Sequence, residues 1–106
     1  MIQISKGAIA VIFVSRRTST DPTGYASAAA EMEEEVVKAA GYIGHDSVST
    51  ADGRAITVSY WKDAQSAAEW RAHVRHAEVR QEGRAAWYRW YRLIVAEVDR
   101  AYDWHK

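Results

Sequence analysis

The chain has 106 residues, enough for one domain (1–106) with a modest core. Its 14 Lys and Arg balance 14 Asp and Glu, so it lacks the basic excess that phosphate contacts demand of a dedicated nucleic-acid binder. It has no cysteine, which excludes disulfides, thiolate metal sites and thiol catalysis, and fits a reducing cytoplasm. The N-terminal stretch MIQISKGAIAVIFVSRR holds an apolar run of about eight residues, too short to span a bilayer. It also lacks the small-residue cleavage site of a signal peptide. The expectation is a cytoplasmic protein with no membrane and no nucleic-acid partner.

The segment AIAVIFVS, Ala8 to Ser15, is β-branched and apolar and predicts a strand covered on both faces. Asp21 then suits a helix cap, with Pro22 at the first helical position, where its missing N–H costs nothing. Tyr25, Ala29, Met32, Val36 and Ala40 form a helical stripe, Glu31, Glu34 and Glu35 fall on the other face, and Gly41 supplies the stop. The run Glu33 to Glu35 reads as solvated helix surface.

Two strands follow, Tyr42 to Ser49 and Arg54 to Trp61, around TADG, whose Asp52-Gly53 is a hairpin-turn signal and no phosphate loop. Asp63 suits a second cap, and Ala64, Ala67, Trp70, Val74 and Ala77 recur at helical spacing. Polar residues crowd that pattern between His73 and Gly83, where the helix is expected to bend or break.

The last stretch, Gly83 to Trp104, holds three of the five tryptophans and several arginines. Such a mixture can stack on bases and grip phosphate, or it can form a half-buried strand. The neutral charge balance decides for the strand. Its alternation puts Tyr91, Leu93 and Val95 on one face and Ile94, Ala96 and Val98 on the other. Arginine stems can run along such a surface with their heads in water. The order strand, helix, strand, strand, helix, strand is the ferredoxin-like βαββαβ pattern, an α+β fold with a four-stranded antiparallel sheet. Two helices cover one face of that sheet, and the apolar residues on its other face call for a second copy of the chain.

Gly41-Tyr42-Ile43-Gly44 opens the second strand, Tyr60-Trp61 ends the third, and Trp70 on the next helix is followed by His73 and His76. Over nearly the whole chain these features resemble the antibiotic biosynthesis monooxygenase superfamily of dimeric α/β barrels. The resemblance implies a homodimer with its sheets face to face and one pocket per subunit between sheet and helices. It implies a monooxygenase that oxidises a small aromatic or phenolic metabolite with O₂ and no cofactor. Such chemistry asks for a base or donor near a phenol in a dry apolar slot. His73 and His76 are then the candidate catalytic residues, and Trp70 and Trp61 the candidate substrate-binding ones.

Each candidate also has a plainer reading. His73 and His76 can be boundary histidines, of which only His73 would share a side with Trp70 on an unbroken helix. Trp61 suits core packing. His45, beside Ser47 and Ser49, reads as surface or rim, and one of Arg16 and Arg17 can reach a pocket mouth. No metal site is expected, since there is no HExxH and no obvious third ligand. The haem-degrading branch of the superfamily needs an Asn on the first strand and a His about three helical turns beyond the Trp. This chain has no Asn, and Arg80 stands ten residues after Trp70, so haem is expected to be neither substrate nor cofactor. A non-catalytic dimeric module that binds a small ligand is the alternative to an enzyme.

Overall fold

A computed structural model describes residues 2–106, except the side chains of Val74 and Arg75. The expected place of Val74 on the apolar stripe therefore lies outside the described residues. Strands β1 (Ile9–Arg17), β2 (Tyr42–Ser49), β3 (Arg54–Trp61) and β4 (Tyr88–Glu97) form one sheet in the order β2-β3-β1-β4. Every neighbouring pair is antiparallel. Helices α1 (Pro22–Val36), α2 (Ala64–Ala72) and α3 (Val74–Glu82) complete the α+β ferredoxin-like fold.

Register separates the two faces. Phe13 on central β1 lies opposite Thr57 and Leu93, and Ile9 opposite Trp61, on the face that carries the helices. Ile12 lies opposite Val58 and Ile94 on the other face. Because side chains alternate along a strand, β1 presents apolar groups to both sides. Trp61 and Trp87 are buried beneath the helices, whereas Ile56, Ile94 and Trp90 on the open face keep 44%, 41% and 46% of their surface in solvent. Among the described residues no helix covers that face.

The Asp21 carboxylate accepts from Gly24 N–H at 3.0 Å and starts α1 with Pro22 in its first turn. Tyr25 and Met32 are half-buried as the stripe requires, but Ala28 rather than Ala29 faces the core. The helix also ends at Val36, before Ala40. There Lys38 N–H and Ala39 N–H reach back three residues, to Glu35 and Val36 carbonyls, which tightens and closes the last turn. Gly41, with φ +79°, makes the reversal into β2.

Asp63 caps α2 through Ser66 N–H at 2.8 Å. The expected break in the second helix falls at His73, whose ψ of 131° is extended. The polar run after it is helical, as α3. The final stretch begins later as a strand than its composition suggests, because Gly83–Trp87 is a π-helical turn. Two contacts set that turn. Gly83 is packed so closely on Tyr88 that a Cβ would come within 2.7 Å of the ring. Trp87 is 5% exposed and meets the Tyr25 ring edge-on at 5.9 Å.

Candidate functional site

Trp61 ends β3 with 1% of its surface exposed, and its indole N–H donates to Ser59 Oγ at 2.9 Å. Trp70 of α2 stacks on it, with ring centroids 6.3 Å apart and planes 26° apart. Two imidazoles stack on Trp70 in turn, His73 at 5.4 Å and His76 at 4.8 Å. The chain thus brings together all four residues singled out from the sequence. Trp61 lies in the core and supports Trp70. The break at His73 is what allows the second imidazole to join, since six residues along a straight helix would carry His76 well away from Trp70.

His76 Nδ1 lies 3.0 Å from the Trp70 carbonyl oxygen. That oxygen can only accept, so Nδ1 carries the proton and Nε2 the lone pair. Burial lowers the His76 pKa, the bond to Trp70 opposes the shift, and the charges of Arg80, Arg71 and His73 reinforce it. The ring is therefore neutral at pH 7 and equipped to take a proton.

His73 lies at the lip. With Trp70, Ala39, Ala40, Ser66 and Glu69 it lines a cavity of about 160 Å³. This cavity opens between α2 and the turn after α1, whereas the expected place was between α2 and the sheet. On the sheet side, Leu93 and Val95 of β4 belong to the helix-bearing face by register, yet stay 39% and 60% exposed. The helices leave this edge of the sheet partly uncovered.

His45 sits apart from the stack. Its Nδ1 is 2.5 Å from Tyr42 Oη and its Nε2 3.7 Å from Glu33, so it ties the edge of β2 to α1. At the far end of β1, the Arg17 guanidinium lies 4.4 Å above the Tyr25 ring. Arg16 and Arg17 both reach a second cleft of about 330 Å³, shared with Arg89 and Asp52. Among the described residues no three His, Cys, Asp or Glu side chains gather as a metal site would need, and no helix is long and apolar enough to cross a membrane. Sequence reasoning did not single out Arg80, whose charge acts on His76. Its spacing of four from His76 was the available signal, since residues one turn apart share a helix face.

No family model matches the chain. The uncharacterized protein YqjZ of Bacillus subtilis is 43% identical over 91 residues, which cover 86% of this chain and 79% of YqjZ. Solved structures share the fold at low identity. SnoaB, a cofactor-independent oxygenase of Streptomyces nogalater, superposes with a TM-score of 0.74 at 11% identity, over 90% of this chain and 96% of its own. A protein of Nitrosomonas europaea assigned to the antibiotic biosynthesis monooxygenases gives 0.75 at 11%, over 92% and 95%. Rv0793 of Mycobacterium tuberculosis gives 0.76 at 16%, over 91% and 100%. The chain belongs to the same family as YqjZ, and its fold is that of the antibiotic biosynthesis monooxygenase superfamily.

Proposed function

We propose that the protein is a cytoplasmic, cofactor-independent monooxygenase for a small aromatic or phenolic metabolite, with His76 as its general base. The observation that carries this reading is a half-buried imidazole, held neutral and stacked on an aromatic wall. In this reading a phenol held at the Trp70 cavity gives its hydroxyl proton to His76, whose Nε2 carries the lone pair. The phenolate is electron-rich enough to give one electron to O₂. Recombination of the two radicals forms a carbon–oxygen bond, His76 returns its proton to the peroxide, and loss of water from the resulting hydroperoxide leaves a quinone. His73, at the lip, offers a second hydrogen bond. The protein's work is to hold the ring, exclude water and accept a proton.

The working unit in this reading is a homodimer. A single chain leaves Ile56, Ile94 and Trp90 in water on the open sheet face, a cluster that a second copy would bury. The cavity of about 160 Å³ falls below the roughly 300 Å³ of ordinary ligand sites. In this reading the rest of the lining comes from outside the single chain. The tail supports the same arrangement, since Tyr102 and Trp104 are 86% and 78% exposed. Sedimentation at micromolar concentration should show two chains per particle, and deletion of the residues after Asp99 should weaken association. A stable, fully folded monomer defeats the dimer.

Oxygen uptake on a panel of anthrols and hydroquinones tests the activity. A second reading, a dimeric module that binds a small ligand without oxidising it, is favoured by the mostly apolar lining of the cavity at α2. Tight binding across the panel with no oxygen consumed would select it.

A further inference from the structure

Helix α3 carries His76 and Arg80 four residues apart, so these two side chains stand one above the other on a single face. Arg80 is the unusual member. Its Nε and Nη1 are shut off from solvent, and neither has a hydrogen-bond partner. Arg17 also has a buried Nε without a partner, but its guanidinium rests on the Tyr25 ring. For Arg80 there is no such ring among the contacts of the described residues. Burial comes first in lowering its pKa, with Arg71 and Arg84 adding repulsion, and Tyr91 is near enough to act in the opposite direction. Tyr91 belongs to the helix-bearing face of the sheet, 5.3 Å from Phe13. Arg80 therefore lies between α3 and the sheet, in a positive neighbourhood, with its Nε and Nη1 unpaired among the described residues.

Buried guanidinium donors are rarely left unmade, because their desolvation is not repaid. A planar fork of N–H groups matches a carboxylate, which accepts two of them side by side. We propose that the substrates of this site are aromatic acids, and that Arg80 receives their carboxylate while His76 faces the ring hydroxyl. The proposal rests on the reading of the Trp70–His76 stack as the substrate site. An ortho-hydroxy aromatic acid suits the arrangement, since it presents hydroxyl and carboxylate on one edge of one ring. The base and the guanidinium likewise lie one turn apart on one helix face. Arg80 is in this sense a binding residue that sets substrate class.

The test compares 1-hydroxy-2-naphthoate with its primary amide, which keeps the ring and hydroxyl but loses the negative charge. Binding is followed by titration calorimetry and by quenching of tryptophan emission. Wild type should bind the acid about tenfold or more tightly than the amide. Arg80→Gln should abolish that preference while still binding the amide, and Arg80→Lys, which keeps the charge but loses the fork, should restore only part of it. Equal binding of acid and amide by wild type overturns the proposal. So does an unchanged preference in Arg80→Gln, or failure of both compounds to bind. Sedimentation of Arg80→Gln covers the remaining case: loss of the dimer with the acid preference intact would give the donors to a second copy of the chain instead. Oxygen uptake is read separately. An acid preference without oxygen consumption leaves Arg80 its role and removes the oxygenase. Oxygen consumption on neutral phenols without an acid preference does the reverse.

Discussion

Two aromatic clusters sit at opposite ends of β1, built from similar residues and arranged differently. At the Arg17 end, Trp87, Tyr25, Tyr88 and Phe13 meet edge to face, with interplanar angles from 72° to 89°. Their polar atoms have partners within the chain: Trp87 Nε1 donates to Asp21 at 3.4 Å, and burial raises the Tyr88 pKa, with Tyr25 adding to it. At the Ile9 end, Trp61, Trp70, His73 and His76 lie nearly parallel, within 30° of one another in each stacked pair. Edge-to-face contacts interlock rings and fill space in all directions. A parallel stack ends in a flat face, and a flat face can be extended by one more ring. The first cluster closes the fold, and the second is open to addition.

The sharpest way to break this contrast is to empty the closed cluster. Trp87→Ala should cost about 3–5 kcal/mol of stability, read as a lower urea midpoint by far-ultraviolet circular dichroism. A loss below about 1 kcal/mol would place Trp87 outside the core's working part. The open cluster should respond in rate more than in stability. His76→Ala should lower oxygen uptake on an oxidised phenol about a hundredfold, or ~2.7 kcal/mol of barrier, with His73→Ala far milder. Equal rates for wild type and both variants would remove the histidine base.

The lowered His76 pKa gives this contrast a pH dependence with a definite sign. The acid limb of the wild-type rate profile should fall below about 6.5, the ordinary histidine value. Because the unfolded ring binds its proton more readily than the folded one, the stability contribution is intact above that value. It is lost as pH falls through the lowered folded pKa. Thermal unfolding of His76→Gln should decline less than wild type over the same window. The smallest effect is expected from Asp21→Ala, at about 1 kcal/mol for a lost cap, since the bond from Trp87 is long.

Much of this fold was legible in the sequence because its signals are local. Asp21-Pro22 and Asp63 act as the caps they resemble, and the alternation Tyr91, Leu93, Val95 survives as one face of β4. The features that escaped depend on contacts distant in sequence. Gly83–Trp87 reads as the start of a strand, and only its packing on Tyr88 and Tyr25 makes it a π turn. Ala28 displaces Ala29 because the angle at which α1 meets the sheet is a tertiary property. His73 carries neither Pro nor Gly to mark a break, so its place had to come from the structure. Arg80 looks like one more solvated charge on a polar helix, and its isolation exists only once α3 is laid beside β4.

The break at His73 has a consequence for descent. On an unbroken helix, residues 70 and 76 would lie about 120° apart around the axis, and the imidazole would leave the indole without any change of side chain. The contact between Trp70 and His76 is thus a property of one backbone torsion and of neither helix. A homologous chain can keep every residue of the stack and still lose the arrangement if its α2 runs on through 73. Inheritance of chemistry in this family would then be tracked by where the helix breaks as much as by which residues are shared.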